Sequence, residues 1–182
     1  MERLNISLSP GLLIWLAAAV LLLPLRWILA WSVAVCVHEL GHFTVLKLLK
    51  LPVYAMEAGT GGARISTAFC MPWQEAVCAL AGPMAGMLLL LLAPVFPRVA
   101  VCGVFQSLYN LLPVYPLDGG RITRCLAGEK VGRILQNLCL AGLMALGFYG
   151  TFVLRLGLVP LIFAWFTALR ALARKIPCKA SL

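Results

Sequence analysis

Long apolar runs restrict this chain more than any other feature. Stretches such as Trp27 to Leu49 and Trp73 to Ala93 carry too few polar side chains to form the surface of a soluble domain. In lipid, a segment of this kind must satisfy its backbone hydrogen bonds internally, which a helix does. The apolar share of 63% exceeds the roughly 45–50% usual for soluble domains, and the mean hydropathy is +0.99. The expected fold is therefore an all-α integral membrane protein, one domain over residues 1–182. Six spans are expected, at Gly11–Leu23, Trp27–Leu49, Trp73–Ala93, Val99–Leu112, Ile134–Leu154 and Leu158–Leu172. Between the second and third spans, Val53–Met56 and Ile65–Phe69 flank a turn holding Gly59, Gly61 and Gly62. This pattern predicts a short β-hairpin or re-entrant loop.

The net charge of +9 does not point to nucleic acid, because no basic patch is interleaved with aromatic residues. The cations cluster instead at the ends of apolar runs. With six spans, twelve of the fifteen Lys and Arg residues fall on the side that holds both termini, against Arg26, Arg98 and Arg155 on the other. The positive-inside rule makes the first side cytosolic, so the expected location is a membrane, crossed several times, with both termini inside. Gly11–Leu23 is short, but Met1–Pro10 has one Arg against one Glu and no clear cleavage site follows, so it reads as a retained span. The seven cysteines show no CxxC pair and read as small buried thiols.

Within the second run lies His38-Glu39-Leu40-Gly41-His42. On a helix the two histidines share a face one turn apart and can reach one Zn²⁺, with Glu39 beside them as a general base. They are the only histidines in the chain. Ionisable groups at membrane depth are expensive to keep, which favours a functional role for all three. A catalytic zinc takes three protein ligands and leaves one position open. Asp118, the only aspartate, follows a stretch broken by Pro113 and Pro116 and precedes Gly119 and Gly120. Leu-Asp-Gly-Gly is also good turn chemistry, but beside a histidine pair lacking a partner Asp118 is the expected third ligand.

The His38–His42 helix, the Ala81-Gly82-Pro83 segment and the Asn110…Pro113…Pro116…Asp118-Gly119-Gly120 element, in that order, resemble the site-2 protease family of intramembrane zinc metalloproteases. The resemblance covers about Trp27 to Arg121. It implies zinc held by His38, His42 and Asp118, catalysis by Glu39, and a substrate-positioning role for Asn110. It also implies membrane-associated protein substrates cut in regulated signalling. Many members carry Asn where this chain has Gly86. The chain lacks extra PDZ or CBS domains and is similar to the compact bacterial type, including the sporulation proteases that activate a sigma-factor precursor. A membrane regulator or a homo-oligomer is compatible with this reading. The competing readings are a zinc-binding pseudoprotease or membrane chaperone, which an intact Glu39 opposes, and a solute transporter, which the lack of a second polar set and of an inverted repeat opposes.

Overall fold

The computed structural model describes residues 5–8, 23–51, 53–59, 62–67 and 71–173. The expected first span lies outside them, save Leu23. The described chain divides into two compact units, Met1–Leu111 and Leu112–Leu182.

In the first unit, α1 runs from Leu25 to Leu48. Pro24 starts it from an extended conformation. It ends where Lys50 takes φ 53° and the Leu51 N–H donates to the Leu46 carbonyl at 3.0 Å, a left-handed stop that closes the open carbonyls of the last turn. Helix α2 covers Pro72–Leu88 and tightens into a 3-10 turn over Leu89–Leu92. Pro72 occupies its first turn, and the Gln74 side-chain oxygen accepts from the Met71 N–H at 3.1 Å. Helix α3 covers Pro97–Asn110.

Small residues set the spacing among these three helices. A Cβ on Gly41 of α1 would stand 2.5 Å from the Ala81 carbonyl oxygen of α2. One on Gly103 of α3 would stand 2.7 Å from the Gly86 carbonyl oxygen. A small apolar core of Ala30, Ala34, Leu89 and Cys102 fills the space between, with Val37 and Val99 against it. At such contacts an added side chain meets backbone, which cannot rotate away. Gly103→Val is therefore expected to lower stability by about 1–3 kcal/mol. Thermal unfolding in mild detergent checks this, with exposed Val101→Leu as a control that should leave the midpoint unchanged.

The same unit carries a three-stranded sheet, β1 (Asn5–Leu8), β2 (Val53–Gly59) and β3 (Gly62–Thr67), in the order β1-β2-β3. Strands β2 and β3 pair antiparallel, Glu57 opposite Arg64 and Gly59 opposite Gly62. Strand β1 runs parallel to β2, with Ile6 opposite Met56. Asn5–Leu8 lies in the stretch before the first expected span, and four residues carry too short a pattern to announce a strand.

In the second unit, residues 112–117 are non-helical and α4 covers Asp118–Phe152. Gly128 interrupts it at φ 82°, ψ 166°, a conformation open mainly to glycine. The charged stretch Arg121–Arg133, expected as a polar segment before a span, is helical on both sides of this break. Arg124 holds the parts together. Its guanidinium stacks 4.4 Å from the Tyr115 ring centroid and donates to the Gln136 Oε1 at 3.3 Å, while a Cβ on Gly132 would press against its Cγ. Helix α5, Val159–Ala173, packs on α4 where Gly147 leaves room for Ala164 and Pro160.

Among the described residues, three helical stretches are long and apolar enough to cross a membrane: Leu25–Leu48, Pro72–Leu92 and Asp118–Phe152. Helices α3 and α5, with 14 and 15 residues, correspond to the expected fourth and sixth spans. At 1.5 Å per residue each reaches little more than about 20 Å, short of a hydrocarbon core of about 30 Å.

Candidate metal centre

Helix α1 carries His38 and His42 on one buried face. They are 3% and 7% exposed, although the neighbouring Leu40 is 59% exposed. Helical periodicity explains the contrast, since positions four apart share a face and the position between them does not. The two rings meet edge to face, with centroids 4.8 Å apart and the Nε2 atoms 3.2 Å apart. Two ligands on a tetrahedral ion with Zn–N bonds of about 2.0–2.1 Å would have nitrogens about 3.3 Å apart. The observed separation matches that geometry.

A hydrogen bond to α2 fixes one of the rings. The His42 Nδ1 lies 2.7 Å from the Cys78 carbonyl oxygen; with Nδ1–H donating there, the proton sits on Nδ1 and Nε2 keeps its lone pair for a metal. Holding a ligand imidazole in one tautomer and one orientation is the usual work of such an outer contact.

Gly82 of α2 supplies the space in front of the rings. A Cβ there would fall on the His42 Nε2 and the Cε1 atoms of both rings, so any other residue would occupy the place where the nitrogens converge. In the sequence Gly82 stands out only as part of the Ala81-Gly82-Pro83 segment. Its specific neighbours are imidazoles from 40 or more positions away in the chain, which no local spacing reveals. Gly86, one turn on, meets α3 instead: a Cβ at Gly86 would fall on the Ser107 hydroxyl, which is wholly buried and donates to the Gly103 carbonyl at 2.7 Å. The position where the resemblance anticipates Asn is thus filled by a hydroxyl from a neighbouring helix.

Glu39 follows His38 on α1 and is half-buried. Asn110 is the last residue of α3, also half-buried. Asp118 belongs to the second unit, where it is the first residue of α4 and 8% exposed. An acid in the first turn suits the positive end of the helix dipole. Behind it, Gly120 lets the non-helical segment close in, since a Cβ there would fall on the Tyr115 nitrogen and the Val114 backbone. That segment is held in turn by the Tyr115 N–H donating to the Gln136 Oε1 at 3.1 Å and by the Leu117 N–H donating to the Val114 carbonyl at 2.8 Å.

No protein-family model matches the chain. A protein of Synechocystis sp. named "Putative zinc metalloprotease" is 27% identical over 131 residues, covering 63% of this chain and 35% of that one. The chain therefore spans about a third of the length of this curated relative. Among solved structures, the site-2 protease from Methanocaldococcus jannaschii superposes with a TM-score of 0.67 at 18% identity, covering 100% of this chain and 97% of that one. The resemblance read from the sequence is upheld at the level of architecture: this is a membrane protein with the fold of a site-2 protease.

Proposed function

We propose that the chain is an intramembrane zinc metalloprotease that hydrolyses peptide bonds in or near the transmembrane segments of membrane-associated proteins. The observation that carries this reading is the pair of Nε2 atoms 3.2 Å apart on a membrane-length helix, with room kept in front of them by Gly82. His38 and His42 supply two ligands. Asp118 is the proposed third, on the chemistry of the set: it is the chain's only aspartate, its charge suits a dication, and two glycines follow it. The relative's name and the fold of the solved neighbour support zinc and proteolysis.

When bound, zinc supplies Lewis acidity that polarises the scissile carbonyl and lowers the pKa of water toward neutrality. Glu39 takes the proton from the attacking water as its oxygen bonds to the carbonyl carbon. It delivers that proton to the amine nitrogen as the C–N bond breaks. The Cys78 carbonyl keeps His42 in the tautomer that coordinates. Asn110, at the end of α3, holds substrate backbone near the cut. The activity belongs to regulated proteolysis in a bacterial cell membrane, with sigma-factor activation as the model process.

Purified chain should retain zinc and cleave a candidate membrane peptide, and EDTA should stop it. A chain that holds zinc but cleaves no membrane peptide would favour the pseudoprotease. His38→Ala, His42→Ala and Asp118→Ala should each lose metal and activity together, as read by elemental analysis and gel assay. Full zinc occupancy in Asp118→Ala would remove Asp118 from the ligand set.

Six crossings with both termini cytosolic remain the proposed topology. Ser181→Cys should resist an impermeant thiol reagent added outside intact cells, and labelling as fast as a known external site would overturn that arrangement.

A helical substrate must be unwound before its peptide bond can be attacked, and its freed backbone groups then need partners in lipid. Strand addition to the sheet supplies them. Val53–Met56 and Ile65–Phe69, the extended stretches expected from the sequence, are the candidate partners. Since β1 pairs along Ala55–Ala58, β2 is the middle strand, and β3 is the proposed acceptor. Pro at alternate positions of Gly62–Thr67 should cut cleavage sharply at unchanged zinc content. If none does, the role passes to Asn110.

A further inference from the structure

Away from the histidines, the start of α1 and the start of α3 enclose a groove of about 270 Å³ in the first unit. Arg26 and Arg98 line it above an apolar floor that includes Leu29, Val33, Val95 and Phe96. Among the described residues that line it, none is acidic. Both arginines are exposed. Each is the second residue of its helix, and neither helix has an acid in its first turn or a side-chain cap at its start. A cation at a helix N-terminus opposes the dipole. Two cations lining one groove, with no acid among its described lining residues, form a locus of positive charge that an anion would neutralise.

The form of the groove specifies the anion. Positions 26, 29, 30 and 33 share one helical face, so an apolar stripe descends from Arg26 for about 10 Å along α1, at 1.5 Å per residue. Trp27 and Phe96, 40% and 57% exposed, stand at the same end, and aromatic residues of this kind gather at the headgroup level of a bilayer. A free phosphate uses the charge and leaves the stripe bare, whereas a lipid tail alone leaves the charge unmet. We propose that this groove binds one anionic phospholipid, its phosphate between Arg26 and Arg98 and an acyl chain along Leu29 and Val33. The proposal does not depend on the protease reading, because neither arginine belongs to the metal centre.

The test is native mass spectrometry of the full chain released from bilayer discs of mixed phosphatidylglycerol and phosphatidylcholine. Wild type should retain phosphatidylglycerol in preference to phosphatidylcholine. Arg26→Gln with Arg98→Gln should lower that retention at least about tenfold, the loss expected for charge-assisted contacts of more than about 1.4 kcal/mol. Val33→Trp keeps both arginines and fills the stripe, so it should also release the lipid, and zinc content should stay normal in every variant. Equal retention of the two lipids by wild type would overturn the proposal. So would undiminished phosphatidylglycerol in the double variant or in Val33→Trp, or displacement of the lipid by inorganic phosphate.

Discussion

Glu39→Gln is expected to reduce peptide cleavage by about 10²–10⁴-fold, the usual contribution of a positioned general base, while leaving zinc bound. The amide keeps the size and the hydrogen-bonding reach of the carboxylate but cannot take a proton from water. Both histidines keep their places on the helix, and His42 keeps its bond to the Cys78 carbonyl, since the substitution changes neither. Zinc content by elemental analysis, set beside turnover of a membrane peptide, separates the two effects. Loss of zinc in Glu39→Gln would make that residue a ligand and would require a different base.

Gly82→Ala should act on the metal instead. The added Cβ would fall on the His42 Nε2 and the Cε1 atoms of both rings, the atoms that must converge on an ion. Separating the helices to relieve it would open the close packing of Gly41 of α1 on the Ala81 carbonyl. Either the rings turn or the ion leaves, so zinc affinity should fall by at least about 10–100-fold, the range seen when support of a metal-ligating histidine is lost, and cleavage should fall with it. A competition titration against a chelator reads the affinity directly. Gly82→Ala with unchanged zinc affinity would mean that the glycine serves helix packing only.

The sequence makes the histidine pair legible because a spacing of four on a helix is a local fact, and the scarcity of polar residues in an apolar run isolates it. The starts of α2 and α3 at Pro72 and Pro97, and the unwound stretch around Pro113 and Pro116, follow from backbone rules that act within a few residues. Features that depend on distant partners were not legible. The bond from His42 to Cys78 joins positions 36 apart, and the approach of Gly82 to the rings has no signature beyond a glycine in a helix. The β1 strand was hidden for a related reason: four residues acquire their conformation only by pairing with β2. The charged stretch after Asp118 falls between the expected fourth and fifth spans. It is helical because Gly128 absorbs the change of direction in a single residue, and because Arg124, Tyr115 and Gln136 join across it.

The measurement that bears most directly on the metal centre is X-ray absorption at the zinc edge on purified Glu39→Gln chain, which should hold metal without turning over. Two imidazole nitrogens and an oxygen shell at about 2.0–2.2 Å are expected, with no sulfur at about 2.3 Å. Zinc bound through sulfur, or a chain that retains no zinc, would contradict a centre built on His38 and His42.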